Sequence, residues 1–536
     1  MELRSFTVYD IFKRNALVFK NQTAIQFEGR RITFAELFER VNVVAGRLVS
    51  EGIRPGDRIA VLTKNRPEFF ILAGAIAAAR AIMVPINFRL SADEIGYNIA
   101  DTEPVAIVVD PDYEQTISSL RAACPSLKKW ITFGPGGGEF EPFDSLLSGQ
   151  PLEKDVIPEG SCENVIPEGC YRGYGFEVAA DLRGDAPYII MHTAAVQGKP
   201  RGAILSHHNL VACSMQAISA LSLTHRDSYL NILPLFHIAG LMAALTVMHA
   251  GGRNLIAAKY DPREAGQLID RERVTFIGNF PPILSQLLEV QAAGDCTLAS
   301  WRNVIGVELP ETVKRFEALG TGRFCLAYGQ TETMGLTCIC LNEERPGSAG
   351  RPGALVDLMI ADEELMPHCL PVTAGKPGEI LIRGPLVFQG YWGEKELTEQ
   401  TLRDGWHHTG DIGRLDEEGF LWFVGRKAEK ELIKPGGENV YPAEVEKVVL
   451  EHPAVLEVSV IGVPDPKFGE GIKAVCVLKP MGTRCDIIAP SAQELIDFVA
   501  GRIARYKKPN CVEFVDSLPK KEDGSIDRAK VKELYG

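Results

Sequence analysis

The chain has 536 residues, 46% hydrophobic and 24% charged, the make-up of an ordinary globular protein and neither a disordered nor a fibrous one. Lys and Arg number 57 against 70 Asp and Glu, a net charge of −13, which excludes a surface that attracts nucleic acid or anionic lipid as a whole. At roughly 150 residues per domain the length predicts three or four domain-sized units.

In chain order, residues 1–21 carry Glu2, Asp10, Lys13, Arg14 and Lys20 among their apolar residues, which is no signal peptide. Phe34, Leu37, Val41 and Leu48 recur at a helical period across 33–48, residues 57–62 read as a buried strand, and 74–81 turn helical again. The apolar runs at 69–79 and 238–248 are about half of the roughly 20 residues a membrane helix needs, so both are predicted as buried core helices. Short β-branched runs at 104–110, 187–191 and 274–278 are of the kind buried in parallel sheets. Residues 158–185, rich in Gly and Pro and overlapped by a nine-residue echo (156–160 and 165–169), predict a loop. After Gly425 the texture changes, and 442–450 reads as a helix with Pro442 at its start and acids in its first turn. The expected fold is α/β: a large N-terminal domain of layered sheets and helices over residues 1–425, and a small mobile α/β lobe over 426–536. The twelve cysteines include no CxxC pair, which argues against a disulfide framework or zinc site and fits a reducing cytoplasm.

Three stretches stand out: Tyr328, Gly329, Gln330, Thr331 and Glu332; His408, Thr409, Gly410 and Asp411 with Gly425 and Arg426; and Gly436 through Pro442. With Pro234, Leu235, Phe236 and His237 upstream, their order and spacing resemble the adenylate-forming superfamily of acyl-CoA synthetases, nonribosomal-peptide adenylation domains and luciferases. The resemblance runs nearly the whole chain. It implies activation of a carboxylate with ATP to an acyl-adenylate, transfer of the acyl group to a thiol, and rotation of the C-terminal domain between the two steps.

The resemblance implies that Asp411 takes the ribose hydroxyls, a task that suits an acceptor-only carboxylate, with Arg426 offering its planar donor fork to the same ribose or to phosphate. Tyr328 would stack on adenine, Thr331 hold the α-phosphate and Glu332 bind magnesium. Gly306, Val307, Glu308, Gly329, Gln330 and Phe423 would complete the acyl-AMP site, Glu308 either reading a polar substrate group or capping a turn. His237 would sit between acyl pocket and thiol tunnel, with Ala239 and Gly240 leaving space beside its ring. Gly436 and Gly437 would let backbone approach the narrow thiol arm, and Lys430 would be the hinge. The pairs His207–His208 and His407–His408 read as structural, since adjacent residues face apart.

Two segments depart from the pattern. The family's phosphate loop, roughly Thr-Ser-Gly-Thr-Thr-Gly-x-Pro-Lys-Gly, here reads Thr193, Ala194, Ala195, Val196, Gln197, Gly198, Lys199, Pro200, Arg201, Gly202, which removes hydroxyl donors and a glycine. Ser525 stands where the family's adenylation lysine is expected. A missing cation at that transition state typically costs several kcal/mol. Both departures strike the ATP-dependent step, as in the non-adenylating acyl-CoA ligase branch of platensimycin and platencin secondary metabolism. The expected function is therefore transfer of an acyl group from preformed acyl-AMP to coenzyme A, with ATP and magnesium use in doubt and a separate adenylating enzyme as a candidate partner. An ordinary ATP-dependent synthetase, with Lys520 or Lys521 replacing the lysine, and an inactive adenylate-binding protein are the alternatives. No nucleic-acid or membrane partner is expected, and the oligomeric state stays open, a homodimer included.

Overall fold

The computed structural model describes residues 6–148, 183–196, 199–257, 259–361, 372–427, 432–479, 489–521 and 525–536. Two sheets make the body. In one the strands run Glu141–Pro142, Lys129–Thr132, Ala106–Val109, Arg58–Leu62, Ile82–Pro85, Pro187–Val196 and Lys199–Ser206, parallel except for the last pair. The other runs Arg351–Pro352, Cys338–Leu341, Arg323–Tyr328, Asn303–Gly306, Phe276–Asn279, Ser228–Asn231, Arg253–Ile256, Thr23–Phe27 and Arg30–Thr33, with its six inner strands parallel and its edges antiparallel. One apolar core joins both sheets through the helices Val8–Val18, Phe34–Ser50, Pro67–Ala78 and Ile238–Ala250. The last two are apolar on every face and buried almost throughout, as their sequence runs predict.

The helix read at 74–81 starts earlier, at Pro67, because proline takes its first position and Glu68 its first turn; residues 82–85 are already strand. Gly240 does not make room beside His237. A Cβ there would come within 2.2 Å of the Pro234 carbonyl oxygen, so this glycine serves the turn that enters the helix, while Ala239 faces the pocket. The loop read at 158–185 and its echo lie almost wholly outside the described residues.

A third, antiparallel sheet carries Trp406–Leu415 against Gly378–Arg383 and Leu421–Arg426. The small C-terminal domain packs the strands Val455–Asp465, Gly469–Leu478 and Cys511–Phe514 on the helices Pro442–Leu450 and Ala492–Ala500 around its own apolar core. Its first helix has the bounds read from the sequence. Among the described residues no helix is long and apolar enough to cross a membrane.

Candidate active site

In an open parallel sheet, the carboxyl ends of the strands leave a crevice where loops converge. Four neighbouring strands end here together, Ser228–Asn231, Phe276–Asn279, Asn303–Gly306 and Arg323–Tyr328, and they deliver His237, Phe280, Glu308 and Gln330 to one cavity of about 570 Å³. Asn279 and Gly306 are register partners, and Gly306 has φ +151 with a would-be Cβ only 1.9 Å from the Asn279 carbonyl oxygen, so a side chain is excluded there.

Asp411 anchors the far side of this cavity. Its carboxylate, 5% exposed, accepts from the Tyr328 hydroxyl at 2.8 Å and from Gln330 Nε2 at 2.7 Å, and Arg426 Nε lies 3.4 Å away. The ion pair follows from register, because Asp411 and Arg426 face each other across adjacent antiparallel strands. Gln330 also donates to the Thr409 carbonyl, and its Oε1 meets His407 Nε2 at 3.1 Å, so His407 steadies the site from behind. Deeper still, Glu379 accepts from Gly410 N and contacts His408 and Lys427; burial pushes its carboxyl up, but these partners win and hold it at about 2. Arg426 stacks over Phe423 and donates to the Leu432 carbonyl, on the lobe side of the chain segment that joins the domains.

His237 caps the helix Ile238–Ala250 by accepting from Ala239 N through Nδ1, and meets Phe280 edge-on. Burial first, then the charges of Lys434 and Arg89, push its pKa down to about 4, so the ring is neutral at physiological pH. Glu308 accepts from Leu309 N at 2.9 Å and Asn279 Nδ2 at 3.3 Å, and burial raises its pKa in spite of both. Glu332 lines the cavity beside Thr331 and accepts from the Tyr391 hydroxyl at 2.8 Å.

The lobe closes the cavity with Leu432, Lys434, Gly437, Asn439 and Tyr441. Gly436 and Gly437 have φ +58 and +87 and pack on Phe280 and Pro281 of the body; a Cβ on Gly437 would stand 2.7 Å from the Phe280 ring. Sequence reasoning gave Lys434 no role of its own. It reaches the pocket on the same loop, and crowding by protein together with the Arg426 charge lowers its pKa to about 8. Asn439 and Tyr441 fall within the Gly436–Pro442 stretch without a role of their own, and Tyr391 was not singled out, since no motif spacing marks it.

The phosphate-loop stretch is the end of a hairpin in which Thr193 pairs with Arg201 and Val196 with Lys199; Thr193 and Arg201 line the cavity, and Gln197 and Gly198 lie outside the described residues. Lys430 lies outside them too. Ser525, Lys520 and Lys521 are not among the cavity's lining residues in this arrangement, and Lys520 pairs with Glu457 at 2.6 Å.

A feruloyl-CoA synthase from an Amycolatopsis species is 32% identical over 530 residues, 98% of each chain. O-succinylbenzoate CoA synthetase (MenE) from Bacillus subtilis, 26% identical with 98% of each chain covered, superposes with a TM-score of 0.80 as a double mutant bound to its product analogue OSB-NCoA. The same enzyme bound to the acyl-adenylate OSB-AMP, at the same identity and coverage, superposes with only 0.66. As a whole, the chain therefore superposes better on the CoA-product complex than on the acyl-adenylate complex. Residues 12–392 match the AMP-binding enzyme family and 444–525 the AMP-binding enzyme C-terminal domain. The chain belongs to the AMP-binding enzyme family, in its acyl-CoA synthetase and ligase branch, with a large N-terminal and a small C-terminal domain.

Proposed function

We propose that this enzyme joins a carboxylic acid to coenzyme A through an acyl-adenylate, in the ATP-dependent manner of an ordinary acyl-CoA synthetase, with residues 1–425 binding the adenylate and 426–536 rotating between the two steps. The observation that carries the reading is the bonded set Tyr328, Gln330, Asp411 and Arg426, gathered in one cavity under the glycine loop of the lobe.

Asp411, fixed by Tyr328 and Gln330, retains acceptor capacity for ribose hydroxyls. Thr331 and Arg426 address the phosphate, and Lys434 adds positive charge where AMP departs. The thiol sulfur attacks the acyl carbonyl carbon and gives up its proton to water, the C–S bond forms, the acyl carbon–oxygen bond to the phosphate breaks, and AMP leaves with that electron pair. AMP is a good leaving group, so delivery of the thiol in line counts for more than acid–base help. Neutral His237 shapes the passage between acyl pocket and thiol. Oxygen donors at Thr331 and Glu332 suit magnesium, which would neutralise polyphosphate charge when bound.

A second reading, transfer from supplied acyl-AMP alone, is favoured by Ser525 and by the altered stretch from Ala194 to Gln197. The two relatives described above are named for aryl acyl groups, so aryl acids are the first to try. The deciding experiment assays purified protein with acid, ATP and CoA, and separately with synthetic acyl-AMP and CoA. Acid-dependent exchange of pyrophosphate into ATP supports the first reading; its absence beside turnover of acyl-AMP supports the second. Turnover in neither arm would overturn both.

A further inference from the structure

The helix Ala92–Thr102 carries Glu94, Asn98 and Asp101 at i, i+4 and i+7, one face, on which Asn98 is buried, as are Ile95 and Ile99 beside it. Glu94 does two things at once. It closes the helix start, accepting from Ser91 N at 2.7 Å, and it reaches the lobe, where Oε1 accepts from Lys507 Nζ at 2.6 Å and Oε2 from Ala504 N at 3.2 Å. Lys507 is 3% exposed and also donates to Glu444 Oε1 at 2.6 Å, a pair within the lobe. Beside them Asn87 Nδ2 donates to the Tyr506 hydroxyl at 3.4 Å, and Arg89 pairs with Glu438. Asn87, Glu94, Glu438, Glu444, Tyr506 and Lys507 line a second cavity of about 80 Å³ that shares Thr193, His237, Thr331 and Asn439 with the main one.

A buried charge that loses its partner is costly. Here the crossing bond breaks without leaving one: with the lobe turned away, Lys507 keeps Glu444, and Glu94 keeps its cap and gains water. Such a contact favours the docked arrangement without penalising the other state. We propose that Glu94 and Lys507 form a releasable latch that holds the lobe docked for thiol attack, which makes them positioning residues of the thioester-forming step. The latch rests on the proposed thioester chemistry of the main cavity. The higher superposition score with the CoA-product complex than with the acyl-adenylate complex of one relative supports it.

The test is Glu94→Gln, whose amide oxygen can still accept from Ser91 N while the charge on the crossing bond is gone. Synthetic acyl-AMP should bind within twofold of wild type by calorimetry, its CoA-dependent turnover should fall at least tenfold, and solution scattering with CoA present should show the lobe displaced. Glu94→Lys should be worse, and Lys507→Glu added to it should recover at least threefold. Unchanged turnover, adenylate affinity falling in step with turnover, or identical scattering profiles would each overturn the latch. If wild type itself makes no acyl-CoA from acyl-AMP, the proposed chemistry fails, while the scattering comparison still decides the latch.

Discussion

The adenylate end of the pocket and the lobe interface are held by opposite means. At the first, Tyr328 and Gln330, half-buried, are already bonded to the buried Asp411 before any ligand arrives. At the second, Arg89, Glu94, Glu438 and Lys507 reach across an interface from separate domains. Preorganised short side chains favour binding, because little freedom remains to be lost. Long charged side chains favour exchange where, as for Lys507 with Glu444 and Glu94 with its cap, a partner remains on the same side. On the proposed function, the contrast assigns adenylate affinity to the body and the rate of acyl transfer to the docking of the lobe.

The sharpest way to break that division is Gly437→Trp. Its ring would collide with Phe280, so CoA-dependent turnover of acyl-AMP should fall more than about a hundredfold, roughly 2.7 kcal/mol or more in the barrier, with adenylate affinity nearly intact. Loss of both together, measured by calorimetry beside a coupled assay, would erase the distinction. Asp411→Ala tests the other side: it removes charge-assisted hydrogen bonds of roughly 1.5 to 3 kcal/mol each and should weaken adenylate binding at least tenfold. Unchanged affinity would remove Asp411 from the site.

Smaller effects sharpen the comparison. Lys434, with its pKa lowered to about 8, is cationic below that pH and neutral above it. Adenylate affinity should therefore decline several-fold as pH rises through 8 in wild type, and stay flat in Lys434→Met. Glu379 is depressed from 4.5 to about 2, so its contribution to stability is complete above the ordinary value and lost as pH falls toward 2. In urea titrations the stability gap between wild type and Glu379→Gln should shrink steadily from pH 5 to pH 3; a constant gap would mean its partners do no electrostatic work. The smallest effect is expected of Ser525→Lys, which should change pyrophosphate exchange less than about threefold, because the Ala194–Gln197 stretch is unaltered and changes acting on one transition state do not add.

What was legible in the sequence follows this same division. Asp411 and Arg426 belong to motifs whose spacing is a strand register, and a register can be read from a chain. Helix Pro67–Ala78 carried its start signal, Pro67 followed by Glu68, yet its uniformly apolar run has no amphipathic period to mark the boundary. Gly240 was misread because a small residue next to a histidine does not say which neighbour needs the space; the Pro234 carbonyl does. Lys434, Glu94 and Lys507 acquire meaning only when two separately folded units meet, and more than 400 residues of chain separate Glu94 from Lys507. No local pattern carries that information.

Arg426 has one consequence of a mechanical kind. Its guanidinium faces Asp411 through Nε while another nitrogen holds the carbonyl of Leu432, just past the segment joining the domains. On the proposed function, force from a turning lobe would pass into the Asp411 site through this side chain, beside Lys427, which bonds Glu379. Release of AMP would then loosen clamp and tether together, so that the joint keeps time between emptying the pocket and freeing the lobe.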